Sequence, residues 1–409
     1  MEEKTSKQML NELLENHYEN ARRAKAEGKP VVWSTSVAPQ ELLETMGLTV
    51  VYPENQAAAI GAHKDAPRFI EQSEGRGYSN DICSYARVNI GYADILDTKA
   101  QVIPAPDLLF CCSNICCTVI KWYENLSKKF NIPLIMIDCP FNTTFEVEPA
   151  NIKFVEKQLY EAIEKLEAFT GKKFDWDRMR EVCAISNEAA TWWKKATDLA
   201  MHTPSPFAGF DLFNYMAAVV CARGTVEGRD LYKKWYEELA EKAAQGKGPF
   251  KDIDEKYRIL WDGIPCWPYL SPMFKILKKH GVNVVASTYP ESWTLLYELN
   301  DMAGMAKAYD AIYVQRNVDY SIDRLLTRAV DFKIDGALFH QNRSCKGMDF
   351  KQYEMQRRLE QELGIPSAIF DGDQTDPSVF SEAQYETRVQ ALVEMMEERK
   401  SRLAGGAEK

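Results

Sequence analysis

Gly47-Leu48-Thr49-Val50-Val51-Tyr52-Pro53-Glu54 is the stretch that sets the reading of this chain, because it has a counterpart far downstream. Gly281-Val282-Asn283-Val284-Val285 repeats the apolar run, and Tyr289-Pro290-Glu291 repeats the Tyr-Pro-Glu that follows it. A short apolar run bounded by Gly and Pro reads as a fully buried strand. Working outward from the first copy, further runs of this kind span Val31 to Thr35, Leu108 to Cys112 and Ile132 to Ile137. From the second copy they span Arg258 to Trp261, Gly336 to His340 and Ser367 to Phe370. The likeness extends to Ile132-Pro133 through Asp138 against Ile365-Pro366 through Asp371. Helical patterns such as Pro39 to Met46 and Ile115 to Phe130 separate the runs. Strands alternating with helices predict parallel sheets covered on both faces. The chain is therefore expected to be α/β, with two similar four-stranded parallel-sheet domains flanked by helices, plus a helical region.

The expected boundaries are an N-terminal docking helix over 1–28, a first α/β domain over 29–150, a helical region over 151–250 and a second α/β domain over 251–409. The docking helix carries Met9, Leu13, Leu14 and Tyr18 on one face and stops at Gly28-Lys29-Pro30. The middle region is rich in Glu, Lys, Ala and Leu at helical spacing and is broken by His202-Thr203-Pro204-Ser205-Pro206. The last helix is expected over Glu382 to Leu403, with Gly405-Gly406-Ala407 fraying beyond it.

A length of 409 residues exceeds one hydrophobic core, and 45% hydrophobic with 27% charged residues describes an ordered globular chain. The net charge of -10 argues against a nucleic-acid surface. No apolar run has the length of a membrane span, and the start Met1-Glu2-Glu3-Lys4 lacks a signal peptide's apolar region, so a cytoplasmic protein is expected. Ten cysteines in such a chain do not read as a disulfide framework. Cys183 and Cys221, in helical patterns, are expected in the core, and Cys111 and Cys112 in a buried strand.

Ligands of open α/β sheets bind beyond the carboxyl ends of the strands. Those ends carry Ser34-Thr35-Ser36, Glu54-Asn55, the Cys111 to Cys117 cluster and Cys139 in the first copy. In the second they carry Cys266, Tyr289 to Glu291, Arg343-Ser344-Cys345 and Asp371. The stretches that begin at Phe110 and Phe339 end matched apolar runs, and a cysteine follows each phenylalanine by six residues, at Cys116 and Cys345. A third candidate thiol is Cys83: Asp81 can cap a helix begun by Ile82, which would put Cys83 in the first turn with a lowered pKa. Three thiolates from Cys83, Cys116 and Cys345 could hold zinc or an iron–sulfur cluster, and the absent fourth ligand would leave an open position. His340 is expected to pack. No Gly-rich phosphate loop appears, so the chain itself is not expected to hydrolyse ATP. Arg87, Lys121 and Arg343 could meet phosphate groups or form structural ion pairs.

Several motifs together carry a resemblance that runs nearly end to end. They are Trp33-Ser34-Thr35-Ser36, Tyr52-Pro53-Glu54-Asn55-Gln56-Ala57-Ala58, Asp81-Ile82-Cys83, Asn114-Ile115-Cys116, Gly263-Ile264-Pro265-Cys266-Trp267-Pro268, Asn342-Arg343-Ser344-Cys345-Lys346 and Phe370-Asp371-Gly372-Asp373-Gln374. The chain resembles the alpha subunits of the (R)-2-hydroxyacyl-CoA dehydratases, in the superfamily of benzoyl-CoA reductase and 2-hydroxyglutaryl-CoA dehydratase. That resemblance implies a four-iron four-sulfur ([4Fe-4S]) cluster held by Cys83, Cys116 and Cys345, with one open iron position. It implies a beta subunit with its own iron–sulfur cluster, an ATP-dependent iron–sulfur activator as a transient partner, and a 2-hydroxyacyl-CoA substrate. It also implies one-electron chemistry, in which a ketyl radical anion expels the hydroxyl and makes the beta hydrogen acidic. Ser36 matches the family position that holds the substrate hydroxyl, and Glu54 the position that transfers a proton. The alternatives are an electron-transfer subunit of the same superfamily and a structural zinc protein.

Overall fold

A computed structural model of the chain describes residues 3–299 and 301–406. The first sheet contains β1 (Val31–Ser34), β2 (Thr49–Val51), β3 (Leu108–Cys112) and β4 (Leu134–Ile137). The second contains β5 (Tyr257–Asp262), β6 (Val282–Ser287), β7 (Gly336–Asn342) and β8 (Ser367–Gly372). Their orders are β2-β1-β3-β4 and β6-β5-β7-β8, every pairing parallel, so the expected pair of four-stranded sheets is present. The register places Trp33 beside Leu109 and Trp261 beside Leu338.

The repeated residues have a common mechanical reason. Gly47 and Gly281 both turn into the second strand of their sheet at positive φ, 67° and 68°, where a side chain is disfavoured. Pro133 and Pro366 supply no N–H, yet their carbonyls accept from Leu109 and Ala337 at 3.0 Å. Asp107 and Asp335 accept from the amides of Val31 and Arg258, each at 2.9 Å, and so pin the first strand of each sheet. These polar devices close the sheet ends and leave the strand centres mostly apolar, as burial on both faces requires.

Helices Pro149–Thr170, Trp176–Asp198, Gly209–Cys221 and Val226–Ala244 follow β4. Trp193 and Trp235, both buried, stack at 5.6 Å between them. Apolar packing is continuous from the N-terminal helix Ser6–Ala26 through these helices to residues of both sheets. Helices Ala66–Gly75 and Ser84–Ile95 pack so closely that a Cβ on Gly91 would lie 2.1 Å from the carbonyl oxygen of Phe69. Gly91→Ala is therefore expected to destabilise the protein by about 2–3 kcal/mol, read as a lower denaturation midpoint at unchanged m-value.

Two expectations need correction. The last helix runs from Glu382 to Gly406 rather than stopping at Leu403, and Ala407 lies outside the described residues. The helix expected to begin at Ile82 begins at Ser84 instead. The amide of Asp81 is taken by the hydroxyl of Ser79 at 3.1 Å and that of Ile82 by the carbonyl of Ser79, which holds Asp81 in a turn. Cys83, with φ -46° and ψ 129°, thus becomes the residue that precedes the helix.

Candidate active site and thiol cluster

In each sheet the strand order reverses between the first and third strands, and the crevice beyond their carboxyl ends is the expected binding place. Ser36 follows β1 there, and Cys116 follows β3. Glu54 enters from the neighbouring strand β2. It sits in the first turn of helix Pro53–Ala62, whose start is set by a proline at its first position.

Ser36 and Glu54 touch. The Ser36 amide donates to Glu54 Oε1 at 3.1 Å and the Ser36 hydroxyl to the same oxygen at 3.4 Å. Both residues are 6% exposed, so neither is an ordinary surface group. Ser36 does not cap the helix that follows, Gln40–Thr45, which Pro39 precedes without a side-chain bond. Glu54 Oε2 has no protein partner. Burial disfavours its anion and raises the carboxyl to about 7, against the smaller opposing pull of the Ser36 amide and hydroxyl. At neutral pH such a group can both give and take a proton.

Glu291, the counterpart in the second sheet, shows the opposite electrostatics. Arg328 approaches it at 2.8 Å and Arg324 closes a second ion pair, so its carboxyl is held below the usual range despite burial. The same Tyr-Pro-Glu thus gives one carboxyl raised by burial and one held low by paired arginines.

The three candidate thiols occupy one local setting. Cys83 immediately precedes helix Ser84–Ile95, Cys345 precedes Lys346–Asp349, and Cys116 stands one residue ahead of the residue that precedes Thr118–Phe130. All three are half-buried, whereas Cys117 is exposed. The Ser84 amide donates to Ser344 Oγ at 3.1 Å, which ties the segments of Cys83 and Cys345 together. Gln374 Nε2 donates to Cys83 Sγ at 3.1 Å. Asn114 donates to the carbonyls of Val37 at 3.0 Å and Tyr309 at 2.8 Å, anchoring the Cys116 loop beside Ser36.

The expected lowering of the Cys83 pKa does not occur. Burial first, and then Cys116, push the thiol up to about 12, outweighing the amides of Tyr85 and Ala86 that face the sulfur without closing a cap bond. Cys345 is raised by burial and then by Cys83 and Cys116, so the three sulfurs lie within one another's field. Among the described residues no three His, Cys, Asp or Glu side chains stand close enough to share a single metal ion. A lone tetrahedral zinc, with bonds of about 2.3 Å, would need its thiols that close. Three soft donors on three segments, mutually sensed and half-buried, fit a larger iron–sulfur group better.

A cavity of about 220 Å³ opens onto Ser36 and Glu54. Tyr85, Trp267, Tyr289 and Trp293 line it, so the second sheet contributes one wall. Burial raises the Tyr289 phenol, and Cys345, Glu54 and Cys83 add to the effect, so this phenol feels both the thiols and the Glu54 carboxyl. Trp267 Nε1 donates to the Tyr85 hydroxyl. Tyr85, Trp293 and the cavity-lining part of helix Gly209–Cys221 were not singled out from the sequence. The repeated Tyr-Pro-Glu was the one signal that could have drawn attention to Tyr289.

Other candidates lie apart from this cavity. Cys111, Cys112, Cys183 and Cys221 are buried, as expected. Cys139 Sγ is 3.6 Å from Cys112 Sγ. Cys266 packs against His340, whose Nε2 is 3.1 Å from the sulfur and whose ring stacks on Phe370 at 4.9 Å. Burial lowers the His340 pKa to about 4, which leaves a neutral packed ring. Arg87 is buried in ion pairs with Glu74 at 2.6 Å and Asp376 at 3.3 Å, the structural alternative. Lys121 pairs with Glu124 at 2.8 Å on the surface, and Arg343 is exposed.

The architecture and the site define a protein with two parallel sheets, a buried Ser–Glu pair and three thiols at helix starts. A family model for the 2-hydroxyglutaryl-CoA dehydratase D-component matches residues 35–396, and the chain belongs to that family. It is 50% identical over 400 residues to the (R)-2-hydroxyisocaproyl-CoA dehydratase alpha subunit of Clostridioides difficile, with 98% of each chain covered. It is 44% identical to the (R)-phenyllactyl-CoA dehydratase alpha subunit of Clostridium sporogenes, with 97% of each covered. A benzoyl-CoA reductase subunit of Thauera aromatica is 29% identical, over 95% of this chain and 94% of that one. Among the described residues no helix is long and apolar enough to cross a membrane.

Proposed function

We propose that this chain is the substrate-binding, alpha-type subunit of an (R)-2-hydroxyacyl-CoA dehydratase, a hydro-lyase that removes water in the syn sense to give the (E)-2-enoyl-CoA. The observation that carries the reading is the Ser36–Glu54 pair, buried yet lining a cavity walled by Tyr289. The named relatives support it. A catalytic subunit needs such a proton-exchanging group, whereas a subunit that only relays electrons does not.

Cys83, Cys116 and Cys345 would hold a four-iron four-sulfur cluster. When bound, it supplies one-electron chemistry and an open coordination position, which removal of a weakly acidic beta proton requires. Ser36, whose hydroxyl can rotate from Glu54 toward the cavity, binds the substrate hydroxyl. Glu54 moves a proton at its carboxyl group, protonated for the departing hydroxyl and ionised for the beta hydrogen. The aromatic wall excludes water from the reacting end. A beta subunit with its own cluster and an ATP-dependent activator complete the system in this reading.

The test is anaerobic co-expression with a beta-type subunit, followed by assay with activator, ATP, a strong reductant and 2-hydroxyacyl-CoA esters. Formation of enoyl-CoA with iron and acid-labile sulfide in this chain is the expected result. A colourless protein that holds zinc and converts no ester would establish the structural-zinc alternative. Ser36→Ala is expected to keep its iron and sulfide and to lower kcat/KM by about 10- to 100-fold, the loss of one hydrogen bond to the substrate. Unchanged kinetics in that variant would remove Ser36 from the site.

A further inference from the structure

Resting on that reading, we infer that Tyr123 is a positioning residue: its buried hydroxyl holds Glu54 Oε2 and so leaves Oε1, beside Ser36, as the oxygen that exchanges the proton with the substrate. Two buried oxygens without partners carry this inference, Glu54 Oε2 and the hydroxyl of Tyr123. Tyr123 is wholly buried in helix Thr118–Phe130, which follows Cys116 and Cys117. A phenylalanine would fill the same space without burying a hydroxyl, and a buried hydroxyl without a partner is disfavoured. The phenol therefore calls for an acceptor. The groups that it senses include Glu54, whose second oxygen lacks a donor.

Burial raises the Tyr123 phenol first and the Glu54 carboxyl next, while the phenol in turn opposes the rise of Glu54. No bond of ordinary geometry is closed between them, and catalytic hydrogen bonds that are loose in the free enzyme tighten when substrate binds. The turn of helix that carries the phenol is fixed: Cys111 Sγ donates to the Val119 carbonyl at 3.8 Å, and Trp122 Nε1 donates to Asn89 at 2.9 Å. Oε1 is already placed by the Ser36 amide at 3.1 Å, and the Ser36 hydroxyl lies 3.4 Å from the same oxygen. A substrate hydroxyl held by Ser36 is therefore next to Oε1. Tyr123 is not among the cavity-lining residues, so it acts on the substrate only through Glu54. Cys111, Cys116 and Tyr289 also lie in the field of Glu54. Cys111 is engaged with Val119, Cys116 is assigned to the cluster and Tyr289 belongs to the cavity wall, which leaves Tyr123 to hold the second oxygen. A phenol donates more strongly to a carboxylate than to a neutral carboxyl, so this contact favours the ionised form.

The experiment uses the reconstituted two-subunit complex with Tyr123→Phe, which removes the hydroxyl and keeps the ring. Infrared difference spectra across roughly pH 5 to 9 read the protonated Glu54 carboxyl directly, and Glu54→Gln identifies its band. Loss of the donor is expected to move the midpoint of that band upward by about 1 pH unit, and the pH limb of kcat/KM with it, at unchanged iron and sulfide. Wild type and variant carry the same cluster, so the difference isolates the phenol. 3-Fluorotyrosine introduced at Tyr123, a more acidic phenol and a stronger donor, is expected to bring the midpoint to or below the wild-type value. A tyrosine that only fills space would leave the midpoint in place in both proteins, and that result would overturn the inference. If Tyr123→Phe does not assemble, the fluorotyrosine shift decides the matter by itself. If the wild-type complex dehydrates no ester, the dehydratase reading fails, while the infrared midpoints still uphold or refute the link between Tyr123 and Glu54.

Discussion

Glu54→Gln is expected to lower kcat by about 10²–10⁴-fold in the reconstituted system while iron and sulfide stay at wild-type levels, because the substitution keeps shape and removes the proton. The amide oxygen can still accept from the Ser36 amide, so packing survives. What is lost is a carboxyl balanced near neutrality, raised to about 7 by burial. Because Glu54 enters the cycle protonated, to meet the departing hydroxyl, and takes the beta proton only afterwards, wild-type kcat/KM falls as pH rises through an apparent pKa near that value, and the Gln variant lacks this limb. A second readout is independent of turnover. Between the ordinary value of 4.5 and about 7, the native state keeps a proton that the unfolded chain has released, so stability falls as pH rises through this window. Above it the full cost of about 3 kcal/mol is present. Glu54→Gln should therefore be the more stable protein at pH 8 and lose its advantage near pH 4. Full turnover by the variant would end the role assigned to Glu54. Glu291 offers the control: held by two arginines, it should lose stability on conversion to Gln at neutral pH, since two half-buried cations lose the anion they share.

The parts of this architecture legible in the sequence were those with short-range causes. Gly47 and Gly281 turn with positive φ, Pro133 and Pro366 open a strand, and the apolar runs between such signals are long enough for strands and too short for helices. The repeat made each reading support the other, since a run that is ambiguous alone becomes a strand when its counterpart has the same neighbours. The start of the helix after Cys83 failed for a local reason too: Ser79 and Asp81 compete for the same turn, and nothing in the residue types says that the serine wins. The cavity was legible at Ser36, Glu54, Asn55, Trp267 and Tyr289. Its other walls come from Leu14, Phe213 and Trp293, brought together by packing across the chain, and an aromatic or Leu facing a cavity has the same sequence pattern as one facing a core. Electrostatics were the least legible part. Identical Tyr-Pro-Glu motifs gave opposite charge states because Arg324 and Arg328 reach Glu291 from a helix more than thirty residues on, a contact no local pattern encodes.

Replacing Cys83, Cys116 or Cys345 singly by Ser is expected to remove the iron and acid-labile sulfide of one cluster from the two-subunit complex and to abolish dehydration, with the fold retained. Serine preserves size but offers a hard oxygen donor in place of the soft sulfur that iron–sulfur groups require. The frame around the thiols does not depend on the sulfurs: Ser84 donates to Ser344, Asn114 ties its loop to Val37 and Tyr309, and Asp373 accepts from the amides of Thr375 and Asp376 at 2.9 Å. Loss of iron without loss of fold would therefore report ligation. Cys117→Ser is the discriminating control, since this exposed thiol is adjacent to Cys116 and chemically identical. It should leave iron, sulfide and activity unchanged, as should Cys183→Ser in the helical core. If Cys117→Ser empties the site and Cys116→Ser does not, the matched six-residue spacing from Phe110 to Cys116 and from Phe339 to Cys345 is a coincidence of sheet ends, and the ligand from the first sheet must be reassigned. If both leave the cluster intact, the first sheet contributes only Cys83. The shared position of Cys83, Cys116 and Cys345 just ahead of helices, with amides of the first turn facing each sulfur, argues for their joint assignment: three arms of one device, one following the third strand of each sheet and one leading into helix Ser84–Ile95.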